Sequence, residues 1–567
     1  MKDHTIRIKI FSGIIFLVAL ILLTKLFFLQ VLRNEAFASR ADRQYVTPIE
    51  NIYNRGSIFF TTKDKELVSA ASISSGFKIT INPRAIKNPE EAFNVLNQII
   101  SLNKEEFLAK AIKDDPYEEI AFRQSKEVAD KISELKIPGV SVFKERWRFY
   151  PGNELASRAI GLVAFDADKQ TGRYGLERSY NHILERQADK LYINFFAEVF
   201  ANLSQLVFEK EKPGNVVTSI EPSVQGVLEE QLAGIIKKWN SNFAGGIILN
   251  PKNGEVYAMA HLPQINLNDF SKVRDVSLFG NPIVESVFEF GSVIKALTMA
   301  AALNEGKVTA DTKYDDKGFI VVGKETINNF DKKGRGVTNM QEVLNQSLNT
   351  GAVFAMQKLG RDKFRKYFFD FGLKERTGVD LPSEVKNLVS NLEGNQDVEY
   401  ATASFGQGIA TSPISAARAF SALANGGTLV TPHLVTKIDF DDLPDKEIKK
   451  TASPNQIIKP ETAEEITRML TVVFDKSINK TDSLLKRYNI AAKTGTAQIA
   501  KEQGGGYYED KHLHSFFAYF PAYNPEFLVL LYTKDPKGAR FASETMAGPF
   551  MNIAKFLISY YEIPPDR

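Results

Sequence analysis

The chain has 567 residues, enough for two or more domains each with a full core, and its 71 Lys and Arg against 68 Asp and Glu leave a formal net charge of +3. That balance, with no run of like charges, argues against a nucleic-acid surface. The absence of cysteine excludes a disulfide framework and a thiolate metal site, which suits an oxidising compartment.

The first predicted element is Ile10 to Leu32, apolar enough to cross about 30 Å of hydrocarbon as one transmembrane helix, with Lys25 and Gln30 snorkelling to the outer interface. It reads as a retained anchor, because the best cleavage candidate, Ala36 to Ala38, lies beyond Lys25, Arg33 and Glu35 and too far from the apolar stretch. Residues 1–9, with Lys2, Arg7 and Lys9, then form a cytoplasmic tail, and everything after about residue 33 lies outside the membrane. Residues 33–212 mix alternating runs such as GFKITINP with charged helical stretches such as NKEEFLAKAIKDD, an α+β pattern without a catalytic constellation. The charge cluster and Pro-Gly turn of FEKEKPGNVV mark a boundary, and residues 213–567 follow as a larger α/β domain. It opens with an amphipathic helix around SVQGVLEEQLAGIIKKW and a hairpin, GGIILNPKNGEVYAMA, that turns at Pro-Lys-Asn-Gly.

Next comes FEFGSVIKALTMAAAL, Phe288 to Leu303, a buried helix on which Lys295 is the only charged residue after Phe290. Ser-x-x-Lys spacing alone carries nothing, since it also starts at Ser75, Ser101, Ser133, Ser141, Ser383, Ser477 and Ser483, mostly among charged or turn-forming neighbours. Lys295 differs because it has no route to water. Three positions apart on a helix, the Ser292 hydroxyl and the Lys295 amine share a face, and burial favours the neutral amine, which makes a nucleophile with its base. Ser347 and Asn349 stand just before an apolar helical run, where Ser347 alone reads as an N-cap or turn residue. In YNIAAKTGTAQIA, a predicted strand, Gly495 leaves room for a close approach. Alternation puts Thr494 and Thr496 on one face, suited to a carboxylate, with Lys493 supplying positive charge. His512 and His514 share one strand face but have no third ligand in view, so no metal and no cofactor is expected.

Taken in order, Ser292-x-x-Lys295, Ser347-x-Asn349 and Lys493-Thr494-Gly495 resemble the three active-site motifs of penicillin-binding proteins and serine β-lactamases. The flanking stretches RGSIFF, RFYPGNELASRAIG, YGLERSYNHIL, FGQGIATSPISAARAFSALANGG and HSFFAYFPAYNPEFLVLLY look like the class B penicillin-binding proteins, monofunctional peptidoglycan transpeptidases. The resemblance runs through nearly the whole chain. Two departures stand out: Phe290 occupies a position where the family usually has proline, and TTKDK replaces an Asp-Arg-Asn-Gly after the Arg-Gly motif.

The resemblance implies an elongated non-catalytic α+β domain, pedestal- or dimerisation-like, followed by a transpeptidase domain whose antiparallel sheet is flanked by helices. It implies that Ser292 attacks the carbonyl between the two D-alanines of a stem peptide while Lys295 takes its proton, with the backbone N–H groups of Ser292 and Thr496 as the oxyanion hole. Ser347 and Lys493 would relay the proton to the departing D-alanine. Asn349 would hold the substrate amide, and Thr494 and Thr496, with Gly495 between them, the terminal carboxylate. A β-lactam, mimicking that terminus, would leave Ser292 acylated. Having no glycosyltransferase domain in view, the chain would need a membrane glycosyltransferase partner. The threonine of KTGTAQ and the compact length lean towards the division-type branch and divisome partners. The alternatives are a β-lactam-hydrolysing or sensing protein, a D,D-carboxypeptidase, and a non-enzymatic divisome scaffold.

Overall fold

A computed structural model describes residues 16–17, 20–21, 24–25, 54–166, 169–186, 213–441, 443–450, 455–478, 482–501 and 505–567. The span predicted at 10–32 falls mostly outside them; its six described positions, Phe16, Leu17, Leu20, Ile21, Thr24 and Lys25, are helical and exposed. Among the described residues no helix is long and apolar enough to cross a membrane.

The chain divides into two compact units, one containing Ser75–Arg146 and the other Asn54–Ser74, Trp147–Gln187 and Val199–Arg567. The smaller is α+β. Its helices Pro89–Leu96, Lys104–Ala111 and Lys126–Glu134 each carry their own cap, with the side chains of Asn88, Asn103 and Ser125 accepting from the backbone N–H three residues on. Ile79, Ile81, Phe93, Leu96, Phe107 and Ile132 form its core.

In the larger unit, three of the stretches that flank the motifs meet at one carboxylate. Glu177 is fully buried and accepts from Arg55 Nε at 2.7 Å and Arg148 Nε at 2.6 Å. Arg55 also donates to the Glu177 carbonyl and to Asn181 Oδ1, and Arg148 Nη1 to the Gly56 carbonyl. The arginines of RGSIFF and RFYPGNEL and the glutamate of YGLERSY are therefore one ionic clamp. It holds the strand Ile58–Thr61, which pairs in parallel with Gly214–Thr218.

Beyond that strand come α1 (Pro222–Trp239), β1 (Phe243–Leu249), β2 (Val256–Leu262), α2 (Lys295–Asn304), α3 (Asn349–Leu359), α4 (Pro413–Ala424), α5 (Pro460–Val473), β3 (Ala491–Ala500), β4 (Tyr507–Phe520), β5 (Phe527–Lys534) and α6 (Ala542–Tyr560). The five strands form an antiparallel sheet in the order β3-β4-β5-β1-β2. Helices cover both faces, and two adjacent residues of β4 show why its sequence does not alternate. Phe516 meets Phe550 of α6 at 4.7 Å between ring centres, while Phe517, pointing the other way, stacks on Phe420 of α4 at 4.1 Å. A strand buried on both faces reads as one apolar run. Within the helical layer α2 is enclosed on all sides, every residue from Lys295 to Ala302 being buried.

Removing Glu177 leaves two buried guanidinium groups without their carboxylate, a loss worth about 3–5 kcal/mol. Glu177→Ala is expected to lower the thermal unfolding midpoint by at least about 5 °C. A shift below about 1 °C in differential scanning calorimetry would show that the clamp contributes nothing to the fold.

Candidate active site

Ser292 lies in the 3₁₀ turn Gly291–Ile294, immediately before α2 begins at Lys295. This turn is pressed against β3. Gly291 has φ +64°, and a side chain there would stand 3.0 Å from the Ala497 Cβ. A Cβ on Gly495 would meet the Phe290 carbonyl oxygen at 2.5 Å, and Ser515 Oγ donates to that same oxygen at 2.7 Å. The close approach expected at Gly495 is thus the backbone of the serine turn. It sets the Ser292 turn beside the Thr496 segment of β3, the two backbones expected to supply oxyanion donors. Phe290 itself is buried among Phe288 and Tyr532, with φ −80°, inside the range that proline would adopt.

Both lysines of the motifs are 1% exposed, and both reach one hydroxyl. Lys295 Nζ donates to the Ser347 carbonyl at 2.6 Å, to Asn349 Oδ1 at 2.8 Å and to Ser347 Oγ at 3.3 Å. Lys493 Nζ donates to Ser347 Oγ at 3.1 Å and to the Thr494 carbonyl at 3.0 Å. Among the described residues neither amine meets a carboxylate within ion-pair distance. Burial, with a further push from the Lys493 charge, holds Lys295 well below the usual lysine range, and burial brings Lys493 down to about 7. Amines whose charged form is disfavoured by burial, flanking a hydroxyl, are competent to accept and pass protons near neutral pH.

The geometry adds two details to the sequence reading. Ser292 Oγ makes no hydrogen bond to Lys295 among the described residues; the amine instead spans to Ser347 and Asn349. Of the two expected roles, N-cap or turn residue, Ser347 takes the turn one. It sits in the turn before the helix at φ +56°, an uncommon conformation for a residue with a side chain. Thr494 and Thr496 do share the half-exposed face of β3, and Thr496 Oγ1 accepts from the Ala542 N–H at 3.1 Å, which leaves its hydroxyl proton free to donate outward. His514 is buried at 2.9 Å from Thr545 of α6, while His512 is partly exposed.

Sequence reasoning missed Glu289, three residues before Ser292. Burial pushes its carboxyl up to about 7, and Tyr507 Oη donates to it at 3.0 Å while accepting from the Gly408 N–H at 3.2 Å. Only its place inside the apolar stretch before the serine marks it in the sequence.

The family model described as penicillin binding protein transpeptidase domain matches residues 244–555, and that described as penicillin-binding protein dimerisation domain matches residues 54–218. Stage V sporulation protein D of Bacillus subtilis is 30% identical over all of this chain and 88% of its own length. Peptidoglycan D,D-transpeptidase FtsI of Buchnera aphidicola subsp. Schizaphis graminum is 27% identical over 99% of this chain and 96% of its own. Among solved structures, penicillin binding protein 2X from Streptococcus thermophilus superposes with TM-score 0.71 at 19% identity, covering 90% of this chain and 80% of that one.

A Lys493 pKa of about 7, against the ordinary 10.5, means that between these values the unfolded chain holds a proton that the folded one has lost. Stability therefore rises with pH across that window, and the burial penalty is felt in full below it. Lys493→Met is expected to melt above wild type by a margin that is widest below about pH 7 and closes towards about pH 10. A margin that stays constant over that range would contradict the lowered pKa.

Proposed function

The chain belongs to the class B penicillin-binding proteins of the division type, and on that premise we propose how its residues carry out peptidoglycan D,D-transpeptidation in septal wall synthesis. The observation that carries the assignment of roles is the convergence of two buried lysines on Ser347 Oγ beside the Ser292 turn. Ser292 Oγ attacks the carbonyl of the penultimate D-alanine as its proton passes to Lys295, and the C–O bond forms. Charge on the carbonyl oxygen is met by the backbone N–H groups of Ser292 and Thr496. The C–N bond then breaks, and the proton that Lys295 accepted is relayed by way of the Ser347 hydroxyl, which the two lysines share, and Lys493 to the nitrogen of the leaving D-alanine. Thr494 and Thr496 hold its carboxylate, and Asn349 the amide of the donor strand. An amine of a second stem peptide displaces Ser292 from the ester, forming the cross-link and returning the proton to the serine.

Residues 213–567 are the catalytic domain in this reading and 33–212 the non-catalytic one. Ile10 to Leu32, four of whose apolar side chains, Phe16, Leu17, Leu20 and Ile21, are exposed on helix, is the anchor that keeps the catalytic domain on the outer face of the cytoplasmic membrane. Glycan polymerisation then falls to a membrane glycosyltransferase partner working with division proteins. β-Lactams act as inhibitors by acylating the same serine.

Intact-mass spectrometry after exposure to a penicillin, followed by peptide mapping, tests the reading. One adduct per chain on Ser292, absent from Ser292→Ala, is expected, together with cross-linking of donor and acceptor stem peptides by the wild type alone. An adduct on another serine overturns the assignment.

A further inference from the structure

The helix that begins at Asn349 has no side-chain cap of its own. Its N-cap position is Leu348, which is fully buried and offers no side-chain acceptor, and the Ser347 hydroxyl before it is engaged by the two lysines. The α3 N–H groups still need an acceptor. One comes from a distant segment, where Asn329 Oδ1 accepts from the Thr350 N–H at 3.3 Å and lies 3.2 Å from the Thr350 hydroxyl. Asn329 is 2% exposed, and its amide nitrogen donates to both oxygens of Asp316 at 3.0 Å. Asp316, also 2% exposed, further accepts from the Thr350 hydroxyl at 2.8 Å, the Gly318 N–H at 3.0 Å and the Arg335 N–H at 3.1 Å. The preceding residue of the same loop is bound as well, since Asn349 Nδ2 donates to the Asn328 carbonyl at 2.9 Å.

We infer that Asn329, locked by the Asp316 carboxylate, is a positioning residue that caps α3 from outside, so that Ser347 stays free for the lysines and Asn349 Oδ1 is held at Lys295. The chemistry explains the arrangement. A serine at the helix entrance would ordinarily turn its oxygen to the N–H groups two or three residues on. Here that oxygen is needed between Lys295 and Lys493, so the capping acceptor has to be supplied by another segment, and an amide fixed from behind by a buried carboxylate supplies it without rotational freedom. The carboxylate near the helix start also favours the α3 dipole. Neither residue touches the substrate position; both act through Thr350 and Asn349.

The inference rests on the reading of Ser292 as the acylated serine. The test uses the full chain in detergent and a fluorescent penicillin, measuring the limiting acylation rate per folded molecule, the half-saturating penicillin concentration and the adduct site. Asn329→Ala is expected to lower the limiting rate by about ten- to a hundredfold, the scale of a displaced catalytic group, while half-saturation moves by less than about threefold. A merely structural role would lower the melting temperature and leave the rate per folded molecule within about threefold of wild type, and that result overturns the inference. Should Asn329→Ala not fold, Thr350→Val and Thr350→Ser decide. The serine variant, which keeps the hydroxyl donating to Asp316, is expected to acylate about tenfold faster than the near-isosteric valine variant, and equal rates overturn the inference. A wild-type adduct mapped away from Ser292 defeats the underlying reading instead, which keeps the two failures apart.

Discussion

Two lysine amines buried against one serine hydroxyl, with no carboxylate beside them among the described residues, are the constraint around which the larger unit is organised. An ammonium buried in that position is desolvated, so its charge is suppressed. What would be a defect in an ordinary core is the condition for base chemistry at neutral pH. The site survives because the acceptors it does have, two backbone carbonyls, one hydroxyl and one amide oxygen, are held by two stretches of chain, the turn at 347–349 and β3.

The rest of the fold supplies that rigidity. Pairing with β4 fixes β3, and the aromatic contacts of Phe516 and Phe517 bind β4 to helices on opposite sides. Glycine at 291 and 495 then lets the serine turn and β3 touch backbone to backbone. Either glycine replaced by alanine would press apart the segments that the oxyanion needs together, since the atoms met are main chain, the Ala497 Cβ or a short, bonded hydroxyl rather than the end of a flexible side chain.

Much of this was legible in the sequence because it is written in local pattern. Lys295 stands out as a lone charge in an apolar run, Gly495 as a missing side chain in a strand, and Thr494 and Thr496 by alternation; each conclusion needs only neighbours within a few residues. What could not be read depends on partners far along the chain. Nothing local says that Lys295 reaches past Ser292 to Ser347 and Asn349, 52 and 54 positions on. Nor does anything local show that Leu348 leaves α3 to be capped by Asn329, or that Arg55, Arg148 and Glu177 meet. The three flanking stretches resemble the family, yet their joint purpose is visible only once the carboxylate of Glu177 is seen between the two guanidinium groups.

The claim on which the account stands is that Lys295 is buried to serve as a base rather than to fill space. Lys295→Met separates the two, because a methionine of similar length removes the amine while an apolar replacement of a buried charge is often neutral or stabilising. The purified variant would be compared with wild type for melting temperature and for the second-order rate of acylation by a penicillin. The account predicts a melting temperature at or above that of wild type and a rate lower by at least about a hundredfold, the lower part of the range for general-base assistance. A well-folded variant acylated within about threefold of the wild-type rate would contradict it.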